Sequence, residues 1–196
     1  MSFLEAVQKL RFKTSAGMME CKEALKEAGG DIDKAIEILR KKGIAKAAKK
    51  ASRVAGQGMI ESYIHHGSRI GVLVEMNCET DFVAKNTEFK KVARELALQV
   101  AAANPLYVCR EEVPEAAVEK EKDIFQSQIT GKSENVVESI VAGKLDKYYS
   151  EVCLLEQPYI KDPNIKIKEL ITQLIATLGE NIVVKRFVRF EVGEES

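Results

Sequence analysis

Apolar residues recur with helical spacing near the start of the chain, in three short runs. The first places Leu4, Val7 and Leu10 on one face, flanked by Phe3 and Ala6; Thr14-Ser15-Ala16-Gly17 then interrupts it and offers hydroxyl caps. The second carries Met18, Cys21, Ala24, Leu25 and Ala28 and stops at Gly29-Gly30. Asp31 is placed to cap the third, whose stripe is Ile32, Ala35, Ile36 and Leu39, and Gly43 suits the position just past a helix end. Three helices in about 40 residues predict a bundle near the lower limit of independent stability, with little room for an active site. Two consecutive methionines, Met18 and Met19, cannot both face the core of a narrow helix. Either one is inside and the other idle outside, or the exposed one is a soft contact for a partner.

Residues 40–53 carry Arg40, Lys41, Lys42, Lys46, Lys49, Lys50 and Arg53 among alanines, with no core-forming face. The segment reads as a solvated connecting helix or linker. A phosphate-contacting patch is the alternative, but no aromatics are interleaved to stack on bases. The pattern divides the chain into a bundle at 1–43, a basic linker at 44–54 and a larger α+β core at 55–192.

From Gly56 the period changes to two. Ile60, Ser62 and Ile64 alternate with Glu61, Tyr63 and His65; His66-Gly67-Ser68 turns the chain; Ile70, Val72, Val74 and Met76 alternate along the return. This predicts a β-hairpin. His65 and His66 point to opposite faces of a strand and cannot chelate one ion together. The return strand runs into Asn77-Cys78-Glu79-Thr80-Asp81-Phe82-Val83-Ala84-Lys85, a strand-to-helix corner where Thr80 or Asp81 can cap a helix start. Phe82 either packs inward there or projects. The following run, Phe89, Val92, Ala93, Leu96 and Val100, makes a complete buried stripe ending at Asn104-Pro105. That helix does not need Phe82 for its core, which favours projection.

Leu106-Tyr107-Val108 reads as a short extended piece. Glu111 to Pro114 opens a charged helix reaching about Gln128, and a second runs from Ser133 to about Glu151 with Val137, Ile140, Val141, Leu145 and Tyr148 on one side, predicting a helical hairpin. Gly131-Lys132-Ser133 between them lacks the earlier glycine of a phosphate loop. Residues 154–163 read as irregular. Ile167, Leu170, Ile171, Leu174, Ile175 and Leu178 give the cleanest helical stripe, closed by Gly179. In the last strand Ile182, Val184, Val188, Phe190 and Val192 share one face, with Arg186 the exception, and Lys185, Phe187, Arg189 and Glu191 share the other. The expected fold class is α+β: a small three-helix bundle, then a three-stranded antiparallel sheet covered by helices on one side, with a helical hairpin.

Composition narrows the function. Thirty basic and thirty acidic residues give a formal net charge of zero, which argues against a general nucleic-acid binder. The four cysteines, Cys21, Cys78, Cys109 and Cys153, are far apart, so neither a disulfide framework nor a zinc knuckle is expected, and a reducing cytoplasm fits. No apolar run reaches the roughly 18 residues of a membrane span, and no signal-peptide pattern opens the chain. There is no Gly-rich nucleotide fingerprint, G-x-S-x-G, H-E-x-x-H or credible Cys-His pair. The inventory suits a binding module better than an enzyme, with no cofactor or metal.

Several segments, in order, resemble one family. Leu10-Arg11-Phe12-Lys13-Thr14-Ser15-Ala16-Gly17-Met18-Met19-Glu20-Cys21-Lys22-Glu23-Ala24-Leu25 is similar to the N-terminal module of elongation factor Ts. Lys41-Lys42-Gly43 with Ala45–Lys50 resembles that family's basic connector, and Gly71 to Lys85 resembles its exchange motif. Leu154-Leu155-Glu156-Gln157-Pro158 and Gly179-Glu180-Asn181-Ile182 match as well. The resemblance implies a guanine-nucleotide exchange factor for elongation factor Tu, with a ubiquitin-associated-like bundle that docks on the partner's nucleotide-binding domain. It implies partner contacts at Asp81 and Phe82, with Thr80 and Val83 beside them, and at Met18, Met19 and Lys22 on the bundle. Phe82 is expected to wedge between partner helices and shift the loops that hold Mg²⁺ and phosphate. The chain has room for one core subdomain, as in short members that work as homodimers. Its last strand has no cysteine, so the dimer is expected to be noncovalent. Two other readings stay open: an interaction adaptor using the bundle, and an RNA binder using residues 40–53.

Overall fold

The computed structural model describes residues 2–14 and 16–194; Ser15, one of the candidate hydroxyl caps, lies outside them. Among the described residues there are eight α-helices and five β-strands. The main sheet has three strands in the order β1 (Gln57–Ile64), β2 (Ile70–Cys78), β5 (Ile182–Glu191), so the protein is α+β as expected. Two compact units divide the chain: residues 1–61, 75–93 and 169–184 form the first, and 62–74, 94–168 and 185–196 the second.

The first unit begins with the three-helix bundle: α1 (Phe3–Thr14), α2 (Met18–Glu27) and α3 (Ile32–Lys50). Ser2 and Glu5 form a capping box at the start of α1, the backbone N–H of each donating to the side chain of the other at 2.8 and 3.2 Å. Ala6, Val7, Leu10, Cys21, Ala24, Leu25 and Ala35 form the bundle core. Leu4, expected on that core face, is 62% exposed. At 3.6 residues per turn it lies about 60° from Val7 on the side away from Ala6, so Ala6 takes its place. Gly29 and Gly30 adopt φ of 62° and 89° and end α2 as predicted. The Asp31 carboxylate caps α3, accepting from the N–H groups of Asp33 and Lys34 at 2.9 and 3.1 Å.

α3 does not stop at Gly43. It continues to Lys50, because Gly43 serves as a contact rather than a terminator. Gly43 is buried, and a Cβ built on it would lie 3.5 Å from the Cβ of Ala176 in α8 (Ile167–Leu178). Arg40 pairs with Glu169, Lys50 donates to the Gly179 carbonyl, Lys42 pairs with Glu27 at 2.8 Å, and Lys46 pairs with Glu20. The basic segment is therefore a connecting helix through Lys50, exposed over most of its residues but ion-paired and in contact at Gly43. A methyl group fits at ordinary van der Waals distance there. Gly43→Ala is expected to stabilise the fold by about 0.5–1 kcal/mol through helix propensity. Gly43→Leu is expected to overpack the contact and destabilise by about 1–3 kcal/mol. Thermal unfolding of the two variants checks both signs.

Met76, Cys78, Ile182 and Val184 bury the sheet positions of this unit. Phe89, Val92 and Ala93 bury the start of α5 (Thr87–Ala103), and Ile171, Leu174 and Ile175 bury α8. Each stripe is one the periodicity predicted.

The second unit contains the hairpin turn, with Gly67 and Ser68 at φ of 87° and 56° and the His65 N–H donating to the Ile70 carbonyl at 2.9 Å. Val72 and Val74 are buried and Leu73 is exposed. Ile64, the end of an alternating apolar set, is also exposed. In β5 the alternation slips by one residue. Val184 is buried, Lys185 and Arg186 are both exposed, and Phe187 and Arg189 are then half-buried while Val188 and Phe190 are exposed. The predicted single face from Ile182 to Val192 is thus split by this change of phase. The helical hairpin is present as α6 (Glu115–Ser127) and α7 (Glu134–Val152). Residues 154–163, read as irregular, hold a 3₁₀ turn at Leu154–Glu156, all of β3 (Pro158–Tyr159) and the start of β4 (Asp162–Lys166), which pairs antiparallel with β3.

Glu156 anchors an ionic cluster in this unit, accepting from Arg110 at 3.1 Å and Lys166 at 2.9 Å. Burial alone would push its carboxyl up, but the two cations outweigh that and hold it below its ordinary value of 4.5. A carboxyl depressed in the folded state stabilises above its unfolded value, and that contribution is lost as pH falls through the folded value. Glu156→Gln is therefore expected to lower the melting temperature near neutral pH, with the difference from wild type shrinking as the pH falls below 4.5 and through the folded value. Melting curves across that range test it.

Candidate partner-binding site

The corner after β2 is built from its backbone outward. Thr80 is extended (φ −126°), and its hydroxyl oxygen accepts from the Val83 N–H at 3.4 Å, capping the one-turn helix α4 (Asp81–Ala84). The Ala84 N–H donates to the Thr80 carbonyl at 3.2 Å, and so does the Cys78 thiol at 3.1 Å. Burial pushes that thiol's pKa up. Ala84 is buried and Val83 half-buried, so the turn is anchored on one side. On the other side Phe82 is 82% exposed. Phe89, seven positions on, is fully buried and fills the α5 stripe without it. Asp81 is exposed beside Phe82. Its carboxylate accepts from Lys85 at 2.7 Å, and this bond holds its carboxyl below the ordinary value.

A second carboxylate closes the corner from behind. Glu180, just after α8, accepts from the N–H groups of Glu79 and Thr80, both at 3.0 Å, and from the Thr80 hydroxyl at 2.6 Å. Glu79 answers by accepting from the Asn181 N–H at 2.6 Å. The Asn181 side chain is buried and donates to the Arg53 carbonyl at 2.7 Å, while the Arg53 guanidinium lies 3.6 Å from Glu79. Sequence reasoning singled out Gly179-Glu180-Asn181-Ile182 as a motif but gave it no task. Its partners are about a hundred positions away, so no local pattern could supply one.

The bundle carries the other candidates. Met18 and Met19 are 40% and 63% exposed, and Lys22 is exposed on the same helix. Neither methionine is inside, because Cys21 takes the inward position; the expected division of one in and one out does not occur. Phe12 on α1 is exposed as well, and periodicity did not single it out.

The remaining chemistry is sparse. His65 shares a 2.9 Å hydrogen bond with the Tyr63 hydroxyl. Among the described residues no group of three or more His, Cys, Asp or Glu side chains is placed to hold a metal ion, and all four cysteines are free thiols. No helix among the described residues is long and apolar enough to cross a membrane.

Fold and corner together define a class: an α+β protein with a three-helix bundle ahead of a rigid strand-to-helix turn that displays an aromatic side chain. Comparison with known proteins gives the family. The family model described as elongation factor Ts matches residues 2–194. Proteins named elongation factor Ts are similar across nearly the whole chain. The one from Carboxydothermus hydrogenoformans is 60% identical over 192 residues, covering 97% of this chain and 88% of that protein. Those from Thermoanaerobacter sp. strain X514 and Thermotoga petrophila are each 59% identical, covering 97% of this chain and 94% and 96% of theirs. The chain belongs to the elongation factor Ts family, and is thus a translation elongation factor.

Proposed function

We propose that the chain is a guanine-nucleotide exchange factor for elongation factor Tu, promoting GDP release by inserting Asp81 and Phe82 near the partner's Mg²⁺ and phosphate site. The observation that carries this reading is the bare Phe82 ring on a turn whose backbone is tied at Thr80. With the backbone already tied, docking costs the ring only its own rotamer freedom, and its burial yields roughly 1.5–3 kcal/mol. Each 1.4 kcal/mol or so of coupling changes an affinity tenfold. The coupling is reciprocal: a factor that weakens GDP is itself weakened by GDP, and incoming GTP expels it. No bond is made or broken, so the chain is not an enzyme in the chemical sense and needs no cofactor. Thr80 and Val83 flank the wedge, and Met18, Met19 and Lys22 form a second contact on the partner's nucleotide-binding domain.

In this reading residues 1–43 are the docking bundle, 44–54 the connection and 55–192 the core. That core forms a noncovalent homodimer in the cytoplasm. Ile64, Leu73, Val188, Phe190 and Val192 in the second unit are uncovered apolar side chains suited to such an interface, and β5 has no cysteine to bridge it. Membrane and nucleic acid play no direct part. A narrower reading, an adaptor that only docks through the bundle, rests on the exposure of both Met18 and Met19. Release of labelled GDP from elongation factor Tu separates the two. A docking adaptor leaves the release rate unchanged, whereas an exchange factor raises it at substoichiometric concentration.

A further inference from the structure

We propose that Glu180 is the positioning residue of the Asp81-Phe82 turn. The inference rests on the exchange reading above and adds to it a residue outside the contacts named there. A threonine hydroxyl has one proton and two lone pairs. The Thr80 hydroxyl lies 2.6 Å from the Glu180 carboxylate, which cannot donate when ionised, so the proton goes to Glu180. The lone pairs are thereby left for the Val83 N–H, the bond that caps α4. The other Glu180 oxygen takes the Glu79 and Thr80 N–H groups, fixing the direction in which the backbone leaves β2. Bonds to an ionised acceptor are about twice as strong as neutral ones. Three of them converge on the residues just before Phe82.

The brace works in both directions. Glu79 holds the Asn181 N–H, and Asn181 holds the Arg53 carbonyl, so the segment after α8 is locked to the corner and to the chain leaving α3. Glu180 cannot drift without breaking bonds on both sides. A turn held this way offers the Phe82 side chain to a partner from one backbone position.

Two substitutions of similar length separate the roles. Gln at 180 keeps an oxygen for the backbone N–H groups and an N–H that the Thr80 hydroxyl can accept. Met keeps the bulk and offers no comparable acceptor. In the full chain, Glu180→Gln is expected to retain stimulated GDP release within about twofold. Glu180→Met is expected to lose about tenfold, and its Glu79, Thr80 and Val83 amides to exchange hydrogen faster than in wild type. On a Phe82→Ala background, Glu180→Met should add less than about twofold, since it acts through Phe82. The proposal is overturned if Glu180→Met leaves the amides as slow as in wild type. It is equally overturned if Gln is as damaging as Met, or if Met costs the same with and without Phe82. Should Glu180→Met not fold, the wild-type amides decide: protection at Glu79 and Thr80 supports the brace, and exchange at the rate of an open loop rejects it. Failure of wild type to accelerate GDP release would reject the exchange reading alone, while amide exchange would still decide the brace.

Discussion

Phe82→Ala is expected to slow stimulated GDP release on the order of 10- to 100-fold while leaving the fold intact. The magnitude follows from the roughly 1.5–3 kcal/mol that a buried phenyl ring contributes, at about tenfold per 1.4 kcal/mol. The specificity follows from exposure. At 82% exposed, the ring has little packing to lose in the free protein, so the melting temperature should move by no more than about 2 °C. Stopped-flow release of labelled GDP and a thermal melt on the same preparation give both numbers. A large fall in melting temperature with proportionate loss of activity would return Phe82 to a structural role.

The largest stability effect is expected in the second unit. Gln157 is buried, its carbonyl oxygen accepting from the Gln99 amide at 3.0 Å and its amide donating to the Glu151 and Ala103 carbonyls at 2.8 and 3.4 Å. Gln99, also buried, accepts from the Ile160 N–H at 2.9 Å and donates to the Pro158 carbonyl at 3.2 Å. The two side-chain amides thus satisfy backbone groups at the ends of α5 and α7 and, through Gln99, at Pro158 and Ile160 beside β3. Gln157→Leu keeps the volume but leaves carbonyls without a donor, at a cost of about 2–4 kcal/mol. That corresponds to a fall of about 5–15 °C in melting temperature. Because the two glutamines share a bond, the Gln99→Leu, Gln157→Leu double variant should lose less than the sum of the singles. An unchanged melting temperature for Gln157→Leu would contradict the role assigned to this pair.

Where one side of an element is buried, its period wrote that fact into the sequence. The stripes of α5 and α8, the buried side of β2, the glycine stop of α2 and the Asp31 cap were legible for that reason. Three things were not. Gly43 looks like a stop signal locally, yet it admits Ala176 from a helix more than a hundred positions away. In β5 burial passes from one face to the other at Lys185 and Arg186, and Arg186 on the apolar face was the one local trace of it. The small β3–β4 ladder is too short to carry a period. At the corner, a cap at Thr80 or Asp81 and Phe82 as a surplus aromatic were readable, because capping and helix periodicity are local; the structure puts the cap at Thr80. Glu180, Glu79 and Asn181 were not readable as a brace, because their bonds are made only when the ends of β2 and α8 meet.

The most direct test of the exchange account is the rate of labelled GDP release from elongation factor Tu as this chain is added. The account predicts a rate that climbs with the chain's concentration to a plateau, and a plateau that collapses for Phe82→Ala. A release rate that stays at its intrinsic value at every concentration, while the two proteins still bind, would contradict it.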